Sequence, residues 1–302
     1  MHKQYINEWK SVNDNVISLS NRIASELWGN SQDDEPHLSR MANMPYIEGS
    51  FNTSAGEVGV DSITVYYVLY MAYDEDAYNE LISKKILGAE YDIDKNMLSI
   101  ISCIVNGVFH NTLVSDIYHE VEHVFQYSSG MEKRENLYDD VVSFIRSDNN
   151  NETLESVARL IYMTFPHEQD AFANQFYGYL RSNNVFGMFR DIVNTVSEYR
   201  NLNYLIGVVK LHVGEEYYNI AELLKGFGMT FEQFKKRVHY GKRRLYRKLR
   251  KVYQRHMIEM RERRKIPMET ENILSNDDFL LLLEHKDIYG DISYKNEDYL
   301  IV

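Results

Sequence analysis

Cysteine is almost missing from this chain. Cys103 is the single one in 302 residues, so no intramolecular disulfide can form. It sits in a hydrophobic run and reads as a small core residue rather than a nucleophile. Proline is nearly as scarce, with four in the chain; beside frequent Tyr, Asn and Ile, this suggests an AT-rich genome, bacterial or phage. No apolar run reaches membrane-spanning length, and the residues from Met1 to Trp9 lack the basic start and hydrophobic stretch of a signal peptide. A reducing cytoplasm is the expected address. Disorder is not expected, because 44% hydrophobic residues can bury a substantial core. The length allows one large domain or two modest ones.

Basic residues are also in deficit, 33 against 45 acidic ones, for a net charge of −12. The deficit is uneven. Phe231 to Lys265 holds fifteen Lys or Arg and three Asp or Glu, a net of +12, and Ile266 to Val302 carries −7, which leaves −17 on residues 1 to 230. Within the basic block Phe234, Val238, Leu245, Leu249, Val252 and Met260 fall close to helical steps, so it reads as an amphipathic helix rather than a loose tail. Such a helix is expected to fold against the acidic body or tail, to meet nucleic acid through its phosphates, or to meet an anionic membrane surface or another protein. In the acidic tail, Ser275-Asn276-Asp277-Asp278 reads as the cap of a short helix containing Phe279 to Leu283.

The most informative motif is His119-Glu120-Val121-Glu122-His123. Residues four apart on a helix share a face, so both imidazoles can bind one ion, with Glu120 projecting beside it as a base toward metal-bound water. A hydrophobic run from Met97 to Phe109 precedes the motif and reads as one buried strand, with Asn111 or Thr112 capping the next helix. Ile117, Val121, Val124 and Phe125 give that helix an apolar stripe. Downstream, Pro166-His167-Glu168-Gln169-Asp170-Ala171 opens another helix, proline suiting its first turn.

Together these residues resemble the zinc metallopeptidases of the gluzincin type, which follow His-Glu-x-x-His with a later helix carrying Glu-x-x-Ala. Glu168-Gln169-Asp170-Ala171 fits that second motif. The resemblance covers about residues 60 to 182. It implies an α+β, zincin-like core with a small sheet packed on the motif helix, followed by a largely helical C-terminal region. It implies Zn2+ held by His119, His123 and Glu168, Glu120 as general base, and hydrolysis of peptide bonds in a protein or peptide substrate. Asp170 is the rival third ligand, since some related peptidases use aspartate there. For an oxyanion donor His167, Tyr127, Tyr162 and Tyr177 lie near in sequence, with no spacing that singles one out.

Between the two motifs, Leu137, Val141, Phe144 and Ile145, then Leu154, Val157, Leu160 and Ile161, predict a helical hairpin around a turn at Asp148 to Asn151. A first helix is expected from about Gln4 to Trp28, on Tyr5, Trp9, Val12, Val16, Leu19, Ile23 and Leu27. Asn30 to Gly56 is polar, contains Pro36 and Pro45, and reads as a long loop. Ile63 to Met71 reads as a strand with Ile63, Val65, Tyr67, Leu69 and Met71 on one face. Residues 205 to 250, from Tyr218-Asn219-Ile220-Ala221 through Gly228-Met229-Thr230 to Arg243-Arg244-Leu245, resemble the helix-turn-helix of sigma-factor region four, with Lys225-Gly226-Phe227 as an insertion before the turn. That family places its second helix in the DNA major groove. The expected organisation is a metallopeptidase domain over residues 1 to 200, a basic helical region over 201 to 265 and an acidic tail over 266 to 302. A nucleic-acid-binding or assembly protein with a structural or vestigial zinc site is the alternative function.

Overall fold

The computed structural model describes residues 13–32, 36–38, 44–72, 74–83, 87–105, 108–109, 111–130, 136–147 and 151–264. The chain is mixed α+β and mostly helical. Its described residues form two compact units: those within 1–135, 165–200 and 244–256 make the first, and those within 136–164, 201–243 and 257–302 the second.

The first unit is built on a sheet. Strands β1 (His37–Leu38), β2 (Pro45–Ser54), β3 (Ser62–Ala72), β4 (Gly88–Asp92) and β5 (Met97–Val105) run in the order β1-β2-β3-β5-β4, and the two-residue β6 (Val108–Phe109) also pairs with β5. β3 and β5 are parallel, from Thr64 opposite Met97 to Ala72 opposite Val105. The other pairings are antiparallel. Among the described residues β4 therefore stands at an edge, joined to β5 by a turn in which Asp92 accepts from the backbone N–H of Asp94 at 3.1 Å and of Lys95 at 3.2 Å.

Alternation along β3 sorts the core, because successive side chains leave opposite faces. Ile63, Val65, Tyr67 and Leu69 join Leu98 and Ile100 of β5 beneath two helices, α1 (Asp14–Ser31) and α3 (Asn111–Ser128). On the other face Tyr70 and Cys103 pack with Tyr78 and Leu81 of α2 (Glu75–Ser83). Cys103 is fully buried, as a core residue should be. α1 begins where Asn13 accepts from the backbone N–H of Asn15, and it runs on to Ser31, past the expected Trp28; residues 4–12 of that expectation lie outside the described residues.

Three expectations need correction. Asn30 to Gly56 is not a loop throughout, since β2 occupies ten residues of it and pairs with β3 from Tyr46 opposite Tyr70 to Ser54 opposite Ser62. Its Ser, Asn, Thr and Gly content hid the strand, which is held by backbone pairing and only a few apolar side chains such as Ile47 and Phe51. Pro45 is tolerated because it opens the strand. Met97 to Phe109 is not one strand, because β5 ends at Val105 and β6 returns antiparallel to it. Asn111 and Thr112 both lie inside the first turn of α3 rather than before it.

Helix α6 (Pro166–Ser182) packs along α3 so closely that a Cβ on Gly178 would stand 2.9 Å from the Tyr118 ring and 3.2 Å from the Ser115 Cα. Only glycine allows that approach. After α7 (Phe189–Val196), the first unit takes residues 244–256 of a 34-residue helix, α9 (Phe231–Arg264). There Leu245, Leu249 and Val252 are fully buried, Arg255 pairs with Asp14, and His256 Nε2 lies 3.0 Å from the Val185 carbonyl.

In the second unit, α4 (Asn136–Arg146) and α5 (Glu152–Tyr162) form the expected hairpin, with Asn151 accepting from the Leu154 N–H to cap α5. Asp148 to Asn150 lie outside the described residues. The 29-residue α8 (Glu198–Gly226) gives most of its length to this unit, and Lys225 and Gly226 extend that helix rather than form a turn. The turn itself is set by Gly228 at φ 66°, with Met229 N–H donating to the Leu224 carbonyl at 2.8 Å. Thr230 and Gln233 then cap α9 reciprocally, at 2.7 and 3.2 Å. The segment resembling a helix-turn-helix thus spans the ends of two long helices. Phe234, Val238 and Met260, like the apolar stripe residues of α9 in the first unit, are buried. The short helix expected over Ser275 to Leu283 lies outside the described residues. Among the described residues, no helix is long and apolar enough to cross a membrane.

Candidate metal centre

The motif helix α3 is fixed from below. Ile117, Val121 and Val124 are fully buried, each side chain contributing about 1.5–3 kcal/mol. That stripe points the opposite-phase residues His119 and His123 toward α6, and places their Nε2 atoms 3.2 Å apart. The first turn of α6 brings Glu168, whose Oε2 lies 3.7 Å from His119 Nε2 and 3.6 Å from His123 Nε2. Glu168 is fully buried. Asp170, two residues on, is directed elsewhere: its carboxylate pairs with Lys248 of α9.

His119, His123 and Glu168 can together hold a metal ion. The three atoms form a nearly equilateral triangle, and ligands on a regular tetrahedron with bonds of about 2.1 Å stand about 3.4 Å apart, close to the spacings here. The chemistry of the donors agrees, with two imidazole nitrogens and one carboxylate oxygen converging in a buried place where a cation would offset their mutual repulsion. His119 is held down to about 3, mainly by burial and then by the neighbouring His123, against the opposing pull of Glu168. Its imidazole is therefore neutral near pH 7, the form that binds metal. Its ring packs on Phe172, with centroids 5.2 Å apart.

Glu120 points from the same helix toward the sheet edge, where it accepts from the backbone N–H of Tyr91 in β4 at 3.0 Å. Burial pushes its carboxyl up to about 7; His123 and the Tyr91 N–H oppose that rise, while Glu168 and Asp116 add to it. A carboxyl poised there can accept and return a proton near neutrality.

Sequence reasoning missed a second set of residues behind the ligands. Gln126 Oε1 lies 3.1 Å from His123 Nδ1, and Gln126 Nε2 donates to Glu122 Oε1 at 3.0 Å and to the His167 carbonyl at 3.1 Å. Asn174 of α6 donates to the other Glu122 oxygen at 2.9 Å. Glu122, Gln126 and Asn174 are all buried. Burial, and secondarily Asp170, pushes Glu122 up to about 7, while Gln126, His123 and Lys248 resist. The signal was present as Glu122 and Gln126, four apart and adjoining the apolar stripe, but partners on α6 were not legible.

Of the four residues considered as oxyanion donors, His167 lies nearest the ligands, with its Nε2 3.5 Å from Glu168 Oε1. Tyr127 faces Tyr91 of the edge strand, with ring centroids 6.2 Å apart. Tyr177 is fully buried against Tyr118 and beneath Arg255, a packing residue. Tyr162 belongs to the second unit, where it packs on Tyr138.

Several cations of the basic helix are engaged within their own unit. In the first, Arg244 Nε donates to Gln169 at 2.6 Å, and Lys248 meets Asp170 and lies 3.4 Å from the Pro166 carbonyl. In the second, Arg237 donates to Thr164 at 2.7 Å. Lys236, Arg247 and Lys251 are exposed.

No protein family, curated protein or solved structure matches the chain.

Proposed function

We propose that this protein is a zinc-dependent peptidase. The observation that carries the reading is the convergence of His119 Nε2, His123 Nε2 and Glu168 Oε2 within 3.2 to 3.7 Å of one another, the two histidines lying on a helix that also presents Glu120. Zinc bound by these three residues would supply a Lewis acid that activates water and polarises a peptide carbonyl. Glu120 then takes the proton of the attacking water and returns it to the leaving amine. Retention of this carboxyl favours hydrolysis over a structural site, which has no use for an unliganded base.

The neighbourhood of Glu120 supports an extended peptide as substrate. Among the described residues β4 is an edge strand, and the Tyr91 N–H that meets Glu120 points away from β5. Because backbone groups alternate along a strand, Ala89 presents its N–H and C=O to the same free side. A peptide added there is held by backbone hydrogen bonds beside the base, with side-chain pockets supplying selectivity.

Metal analysis of the purified chain is expected to give about one zinc per molecule, with His119→Ala or His123→Ala losing it. Glu120→Gln should keep the zinc and lose hydrolysis of an unfolded protein such as casein. An active Glu120→Gln variant would sink the mechanism.

A further inference from the structure

The geometry points to Gln126 as the residue that sets the tautomer of His123, so that its Nε2 presents a bare lone pair to the metal. This rests on the metal-centre reading for its purpose, though not for its geometry. A side-chain amide has one acceptor end and one donor end, and which is which follows from its neighbours. One end of the Gln126 amide lies 3.1 Å from the His167 carbonyl, which can only accept. That end must be the NH2 group, and its second hydrogen goes to Glu122 Oε1 at 3.0 Å. Both donors are thereby engaged, and the oxygen is left facing His123 Nδ1 at 3.1 Å. An oxygen there requires Nδ1 to carry the hydrogen. A neutral imidazole with hydrogen on Nδ1 has none on Nε2, the atom that faces His119 and Glu168.

Glu122 is itself held. Its second oxygen accepts from Asn174 Nδ2 at 2.9 Å, and Asn174 is oriented in the same way, by donating to the Asp170 carbonyl at 3.2 Å. Two backbone carbonyls of α6, those of His167 and Asp170, thus determine through two amides which nitrogen of a histidine on α3 carries the hydrogen. The His167 carbonyl immediately precedes Glu168 in the chain. Gln126 therefore ties the ligand on one helix to the turn that carries the ligand on the other. It is a positioning residue, acting on the metal through His123.

The test uses the full chain with 15N-labelled histidine, stripped of metal, the His123 ring signal being assigned by its loss in His123→Gln. Ring nitrogen shifts should report hydrogen on Nδ1 of His123. In Gln126→Met, which keeps volume and removes all three hydrogen bonds, that preference should disappear, and Zn2+ affinity by chelator competition should fall about 10- to 100-fold. Hydrogen on Nε2 in the unsubstituted chain would overturn the proposal, as would wild-type Zn2+ affinity in folded Gln126→Met. If that variant does not fold, the tautomer of the unsubstituted chain decides. Failure of the unsubstituted chain to bind Zn2+ would instead count against the peptidase reading, because the tautomer is read without metal.

Discussion

Replacing Glu168 by glutamine separates a metal ligand from a structural carboxylate, because the two roles predict opposite signs in the metal-free protein. Glu168 is fully buried, and its close neighbours include two imidazoles, one of them neutral near pH 7. Without metal, glutamine should therefore fold as well as glutamate or better, since it removes a desolvated carboxylate at equal volume. With metal the order reverses. At a zinc concentration about a hundredfold above Kd, binding adds about 2.7 kcal/mol to the native chain. For a chain of this size each kcal/mol moves the unfolding midpoint by about 2–4 °C, so zinc should raise Tm by about 5–11 °C in the native protein. In Glu168→Gln most of that rise should vanish. Differential scanning fluorimetry of chelator-treated protein, with and without added zinc, reads both arms. Asp170→Asn is the matched control, expected to keep the zinc shift and to lose at most about 1 kcal/mol, because its pair with Lys248 is partly exposed. The reasoning fails if Glu168→Gln destabilises the metal-free chain by several kcal/mol and leaves the zinc shift intact, or if Asp170→Asn abolishes that shift.

Gly178→Ala should cost about 1–3 kcal/mol in chemical denaturation, because the new methyl meets Tyr118 and the backbone of Ser115 between the two ligand-bearing helices. Unchanged stability would mean that α3 and α6 are not in close contact. The metal-free chain should also show opposed pH dependences on its two sides. Glu122 sits at about 7 in the fold against an ordinary 4.5, so the folded state retains a proton that the unfolded chain gives up. Stability from this group is full below about pH 4.5 and is lost as pH rises toward 7, by up to about 3 kcal/mol, and Glu122→Gln should flatten that slope. His119, held down to about 3 from an ordinary 6.5, acts in reverse: its contribution is lost as pH falls from 6.5 toward 3. Urea midpoints across pH 3 to 8 check both signs.

The sequence determined the pieces whose cause is local. Helical spacing put His119 and His123 on one face and predicted the buried stripe of Ile117, Val121 and Val124, because periodicity records burial directly. The same holds for Ile63, Val65, Tyr67 and Leu69 on one face of β3, and for the apolar stripe of the basic helix. It did not reveal β2, where Ser, Asn, Thr and Gly separate a few apolar residues, since pairing with β3 is a backbone interaction that leaves little mark on side-chain pattern.

Tertiary structure alone decided which of two acidic residues, two positions apart in one helical turn, meets the histidines. Sequence left Asp170 as the rival of Glu168 because the two lie only two positions apart near the start of one helix, and an acidic residue such as Glu168 is favoured in a first turn whether or not it binds metal. Rotation of α6 against α3, fixed by the close approach at Gly178, turns Glu168 inward and leaves Asp170 to Lys248. The network through Gln126 and Asn174 was hidden for the same reason: hydrogen bonds between helices depend on packing between segments far apart in the chain, which no local spacing encodes.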